Sequence, residues 1–320
     1  MVNVSRVQIS VVRDKIVVSY LIAILLFAVG QLLSAGFASI SNIFNILMLS
    51  AFLGVIALGQ MLVIVAGGEG LDLSVGATAS FCAVLASQNL QGQDVRFLPV
   101  LLMVMLTGVI VGMVNGIGAA YLRIPPLVLT LGVASAVQGL AIVVSNGQPS
   151  GSANGFLVTM ASGKLGAIPY IVIIWLIIGA GGLFCLRRTK YGRLLYGLGE
   201  NELVARFSGV NARFLRMLAY VASGLLAALA GLFLLGYTQT PYLDIGSSYS
   251  LPSIIAVIMG GVSLKGGEGS YIGVIAGSII LTTVTSILIT LKMGEGGRQI
   301  VYGLMLLVLL VTYARTEREY

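Results

Sequence analysis

An all-α, polytopic membrane protein is the fold class this chain predicts, and three observations predict it. Long apolar runs recur along the whole length. Only 9% of the residues are charged, where a soluble domain carries about 25%. The mean hydropathy is +1.04. A run of about 18 or more apolar residues crosses a hydrocarbon core roughly 30 Å thick. Lipid offers no water to the backbone, so each such run satisfies its own amides as a helix. Residues 1–320 read as a single transmembrane domain.

Ten apolar segments follow in order, so about ten transmembrane helices are expected. The first, about 16–33, reads as an uncleaved helix, because further spans follow it. The second, 44–65, runs into a Gly-rich break, GGEGLDLSVGA at 67–77. The third, 74–89, is short. The fourth, 98–122, carries Gly108, Gly112 and Gly116 at a four-residue spacing, a flat stripe against which another helix packs closely. The fifth and sixth are 126–144 and 168–186, and the seventh is 214–237. The eighth, 246–261, barely reaches spanning length, and a re-entrant hairpin is its alternative reading. The ninth, 271–291, repeats the glycine spacing at Gly273 and Gly277, and the tenth, 299–313, is short. GGEGSYIGVIAGS at 266–278 echoes the first Gly-rich break. Broken segments of this kind are tolerated where the backbone is shielded by protein, and transporters often pair them.

The net charge of +7 is explained by topology rather than by nucleic acid. Arg187, Arg188, Lys190, Arg193, Arg206, Arg213 and Arg216 crowd into one connection, with none of the aromatic interleaving of a strand-binding surface. With both termini cytoplasmic, the inner side also receives Arg6, Arg13, Lys15, Arg123, Lys265, Arg315 and Arg318, and the outer side only Arg96, Lys164, Lys292 and Arg298. That asymmetry follows the positive-inside rule.

Catalytic chemistry finds little support. The chain has no histidine, which removes the commonest metal ligand and proton carrier. Its two cysteines, Cys82 and Cys185, lie within predicted spans and read as packing residues. Gly163-Lys164 is followed by Leu165, so there is no phosphate-cradling loop. No enzyme activity, cofactor or metal is expected. The interior offers mainly neutral polar groups, Gln60, Asn115, Gln138 and Asn146, and of these Gln60, Asn115 and Asn146, with Asp72 and Ser74 of the first break, are candidates for lining a translocation path. Each equally reads as an interhelical hydrogen bond, the commoner role.

The inner connection, 187–216, is the most informative stretch. Glu200–Phe207 has helix-forming residues, Gly209 is a stop signal, and Glu202 and Arg206 are spaced for an i,i+4 salt bridge. A charged, capped helix here reads either as a handle for another protein or as a solvated connector.

Four ordered blocks resemble the ribose-type permeases of bacterial ATP-binding-cassette importers. LDLSVG at 71–76 is similar to G-I-D-L-S-V-G, and RIPPLVLTLG at 123–132 to R-x-P-x-F-I-x-T-L-G. YGRLLYGLGENELVARFSGV at 191–210 is similar to G-R-x-x-Y-A-I-G-G-N-E-x-A-A-R-L-S-G-I. GGVSLKGGEGSYIGVIAG at 260–277 is similar to G-G-T-S-L-x-G-G-x-G-x-x-x-G-T-x-x-G. The resemblance implies a multi-pass protein of the bacterial cytoplasmic membrane, embedded in lipid. It implies a permease dimer, cytoplasmic ATPase subunits and an extracytoplasmic solute-binding protein as partners. It also implies that Gly199, Asn201, Glu202, Ala205, Arg206, Ser208 and Gly209, with Glu200 where glycine is usual, form the helix that docks on the ATPase. The implied cargo is a small neutral solute, a sugar or sugar-like polyol. Branched-chain amino acids or nucleosides are the nearest alternatives, and an ion-coupled carrier is the alternative of another class.

Overall fold

The computed structural model describes the backbone of residues 4–316 and the side chains of residues 15–311. Arg6, Arg13, Arg315 and Arg318 of the charge asymmetry therefore lie outside the described side chains. The helices in chain order are α1 (Val4–Leu33), α2 (Ile40–Val65), α3 (Val75–Leu90), α4 (Phe97–Ala120), α5 (Pro126–Ser145), α6 (Gly155–Ser162), α7 (Tyr170–Arg188), α8 (Lys190–Glu200), α9 (Glu202–Phe207), α10 (Ala212–Thr238), α11 (Ser250–Met259), α12 (Tyr271–Thr290) and α13 (Glu295–Thr316). The all-α class holds. Among the described residues a minimal hairpin, Lys164–Leu165 against Ile168–Pro169, precedes α7.

Seven helices among the described residues, rather than ten, are long and apolar enough to cross a membrane: Lys15–Leu33, Ile40–Val65, Asp94–Ala120, Pro126–Ser145, Tyr170–Arg188, Ala212–Thr238 and Tyr271–Thr290. The expected third and eighth segments are α3, with 16 residues, and α11, with 10. Both fall short because a Gly-rich break or a turn consumes chain that would otherwise continue the helix. The tenth segment is α13, which opens on Glu295 and Arg298 and runs beyond the last described side chain.

α2 and α10 form the centre. Within α2, 94% of the most apolar window is buried, against 17% in α1 and in α5. A helix that is apolar all round belongs inside. α10 packs on α2, α3 and α4, while α12 packs on α1, α2 and α11. The small-residue stripes explain these pairings. A Cβ on Gly108, Gly112 or Gly116 would overlap the α10 backbone at Gly224, Tyr220 or Met217. A Cβ on Gly273 or Gly277 would overlap the carbonyl oxygens of Gly260 or Ala256. Between membrane helices close backbone approach of this kind supplies dispersion contacts where the hydrophobic effect does not drive association. Trp175 Nε1 donates to Tyr271 Oη at 2.8 Å, and that hydroxyl donates to the Gly54 carbonyl at 2.7 Å, pinning α7 and α12 to α2.

The connections gather at two opposite ends. At one, the Gly92 amide donates to Ser152 O at 3.3 Å and Ala153 to Gln239 O at 2.9 Å. Asp94 Oδ1 there accepts from Asn154 Nδ2 at 2.7 Å and from the Phe156 amide at 3.0 Å. At the other end the two Gly-rich breaks meet the α8–α9 connection. The breaks are adjacent in space as well as alike in sequence: Gly267 N donates to Val65 O at 3.0 Å.

Candidate functional site

The expected helix over Glu200–Phe207 is divided. α8 ends at Glu200, Asn201 adopts an extended conformation (φ −155°, ψ 100°), and α9 begins at Glu202. Asn201 makes the division, because its Oδ1 accepts the Val204 amide at 3.0 Å and so caps α9. α9 stops as expected. Gly209 has φ +80°, and Val210 N returns to Ala205 O at 3.0 Å. Ser208 Oγ donates to Val204 O at 2.9 Å.

Ala205 is the buried residue of α9 and packs with Leu198, Ala212 and Leu215. Leu203, Val204 and Phe207 point the other way, with 64%, 58% and 84% exposure. Sequence reasoning singled out Glu202, Ala205 and Arg206 of this helix and left out these three. The signal was present: at the i, i+1 and i+4 spacing the three share one helix face, opposite Ala205, so the connection carries an apolar face in addition to its charges.

Glu202 anchors the helix base. Its Oε1 pairs with Arg206, as the i,i+4 spacing predicts, and its Oε2 with Arg216 at the start of α10. Partial burial alone would raise the Glu202 carboxyl, but the two guanidiniums outweigh it and hold the group below its ordinary value. Arg216 Nε also reaches the Ala66 carbonyl at 3.5 Å, at the end of α2. Gly199 lies against Val65 O and the Gly267 backbone so closely that a Cβ would overlap both. Tyr196 Oη donates to Gly269 O at 2.8 Å. The α8–α9 connection is thus tied to both Gly-rich breaks.

A second cluster lies deeper. Asp72 is the one buried Asp, Glu, Lys or Arg among the described residues. Its Oδ1 accepts from Ser74 Oγ at 2.6 Å, Ser74 N at 3.0 Å and Asn115 Nδ2 at 3.4 Å, and its Oδ2 from Ser223 Oγ at 2.8 Å. The Gln60 amide, in the orientation that pairs both its groups, donates to Asp72 O at 3.0 Å and accepts from Asp72 N at 3.2 Å. Thr130 Oγ1 accepts the Leu73 amide at 3.2 Å. Four of the five path candidates, Gln60, Asp72, Ser74 and Asn115, therefore form one buried network. The fifth, Asn146, is apart from them: it is exposed and ends α5 in the left-handed conformation at φ +50°. Gln138 Nε2 donates to Asp244 Oδ1 at 2.6 Å, at an exposed position.

Comparison with known proteins gives a family and relatives that agree with one another. The family model described as branched-chain amino acid transport system / permease component matches residues 42–310. The ribose import permease protein RbsC of Haemophilus influenzae is 30% identical over 295 residues, covering 91% of this chain and 90% of that protein. Escherichia coli K12 RbsC is 33% identical over 268 residues, 82% of each chain. The autoinducer 2 import system permease protein LsrC of Salmonella typhimurium is 30% identical over 296 residues, covering 89% of this chain and 82% of that protein. No solved structure gives a significant match.

Proposed function

Because this chain belongs to the family of branched-chain amino acid transport system permease components, we propose that it is the membrane-spanning subunit of a bacterial ATP-driven importer that docks its ATPase through α9. The observation that carries this reading is the outward apolar face of Leu203, Val204 and Phe207, which nothing in the described chain covers. A six-residue helix exposing three large apolar groups on a salt-bridged base is suited to burial in a partner's groove. The proposal places Gly199, Glu200, Asn201, Glu202, Ala205, Arg206, Ser208 and Gly209 as the frame that orients those three side chains.

In this proposal the end bearing α9 faces the cytoplasm, together with both termini, and α3, α11 and α13 complete a set of ten spans. A solute-binding protein delivers cargo at the opposite end, and two permease copies enclose the path. The relatives' names carry two different cargoes, ribose and autoinducer 2. For this chain we propose a small neutral solute. Asp72 supports that reading, because its carboxylate is enclosed by four hydrogen-bond donors and is not presented to cargo. The network of Gln60, Asp72, Ser74 and Asn115 then acts as a brace that holds the first break in place beside the path.

Mechanical work would travel from α9 through Glu202 and Arg216 to the end of α2, and through Gly199 and Tyr196 to both breaks. Two states separated by a few kcal/mol suffice for a docking event to tip the equilibrium. The test is Phe207→Asp in the reconstituted complex, measured as solute-stimulated ATP hydrolysis and uptake. A fall of tenfold or more with normal permease yield is expected. Unchanged stimulation would refute docking through this face.

A further inference from the structure

We propose that the α9 end of this chain carries a binding site for a phosphate oxyanion, in the cleft where Arg123, Arg206 and Arg216 converge. The cleft has a volume of about 290 Å³, close to the lower bound of about 300 Å³ for small-ligand sites. Four parts of the chain wall it: the end of α2 with Gly67, Gly68 and Gly70, the end of α4 with the α4–α5 connection from Arg123 to Pro126, α9 with Glu202 and Arg206, and the start of α10 with Arg216 and Tyr220. Three guanidiniums and one carboxylate, Glu202, line it.

Glu202 already serves two of these guanidiniums, Arg206 and Arg216. Among the described residues Arg123 has no hydrogen bond or ion pair at all. It is exposed, and it is held at φ +57°, a conformation uncommon for a residue with a side chain. That conformation is locked from both sides: Ile124 N returns to Gly118 O at 3.1 Å, and Pro125 and Pro126 open α5. α5 begins without a side-chain cap, so its positive end adds to the field of the cleft. The planar guanidinium fork matches phosphate oxygens two at a time, which is why arginine rather than lysine marks such sites.

The site has a structural consequence. An oxyanion held by Arg123 competes with Glu202 for Arg206, and Glu202 and Arg206 are both on α9. Occupancy therefore bears on how firmly α9 is seated. Two sources share this chemistry, a soluble phosphate ester and a phospholipid headgroup, and Leu122 and Leu127 beside the cleft are exposed apolar residues. The inference needs only the cleft, and it is tested on the isolated chain, so its failure is separable from failure of ATPase docking.

The experiment measures thermal unfolding and amide exchange across residues 202–209 for the full chain in neutral detergent. Inorganic phosphate is titrated against chloride at matched ionic strength. In parallel, nanodiscs of phosphatidylglycerol are compared with nanodiscs of phosphatidylcholine. A saturable change in midpoint and exchange is expected, weakened at least tenfold in Arg123→Gln and in Arg206→Gln and unaltered in Lys164→Gln, whose lysine is exposed on the hairpin. A response to phosphate in detergent identifies a soluble source. An arginine-dependent response confined to phosphatidylglycerol identifies a lipid headgroup. No response in either arm, or a response equal in both arginine variants and the wild type, overturns the proposal.

Discussion

Ser223 Oγ donates a 2.8 Å hydrogen bond to Asp72 Oδ2, joining the first Gly-rich break to the middle of α10 across 151 residues of chain. The bond closes a set of donors around a carboxylate that has no cationic partner among the groups bonded to it. A carboxyl group buried in this way is tolerated where its acceptors are filled. Ser223→Ala leaves Oδ2 without its donor and is expected to cost about 1–3 kcal/mol. Asp72→Asn is expected to cost more, because an amide nitrogen would face donors that already point inward. Unfolding of the purified chain by graded detergent measures both, and a neutral Ser223→Ala would show that the bond carries no net stability.

The glycine stripes allow a contrast within one protein. Gly112→Ala places a methyl group against the Tyr220 carbonyl and the Val221 Cα. Backbone cannot step aside as a side chain can, so a loss of about 1–3 kcal/mol is expected. Gly132 on α5 has open space around its Cα. Gly132→Ala should leave the fold intact or add about 0.5–1 kcal/mol through helix propensity. The same unfolding assay ranks the two, and equal effects would contradict the packing account.

Gly199→Ala tests the link between the α8–α9 connection and the two breaks. The methyl group would overlap both Val65 O and the Gly267 amide nitrogen. The outward face of α9 is untouched by this change. ATPase subunits should still co-purify with the variant, while uptake falls at least fivefold. Uptake at the wild-type rate would mean that close seating of α8 on the breaks is not needed.

The pH dependence of α9 seating has a defined sign. Burial acts to raise the Glu202 carboxyl, but Arg216 and Arg206 prevail and lower it from its ordinary value of 4.5. A depressed carboxylate contributes stability that is complete above the unfolded value and is lost as pH falls through the lower folded value. Protection of the 202–209 amides, taken relative to the intrinsic exchange rate at each pH, should therefore be constant from neutral pH down to about the ordinary carboxylate range and fall below it. Glu202→Gln should exchange faster at neutral pH and lose the step. A step persisting in that variant would assign it to another group.

How much was legible beforehand differs between elements. The Glu202–Arg206 pair was readable because both residues sit on one turn of one helix, where spacing alone fixes the geometry. The glycine stripes were readable for the same reason, although which helix they meet was not. Arg216 as the second partner of Glu202 was hidden, since nothing local relates the first turn of α9 to the start of α10. The separation of Asn146 from the other four polar candidates was hidden too, because residue type says nothing about depth.

By itself the sequence determined the membrane class, the order of the apolar segments and the helical connection near residue 200, all of which depend on composition and short-range periodicity. Only the tertiary structure decided that the two GGEG breaks touch, that Asp72 is sealed by donors from α4 and α10, and that α9 turns Leu203, Val204 and Phe207 outward. These are relations between segments up to about two hundred residues apart. They are fixed by which helix faces fit at backbone distance, a property of three-dimensional packing that no window of sequence contains.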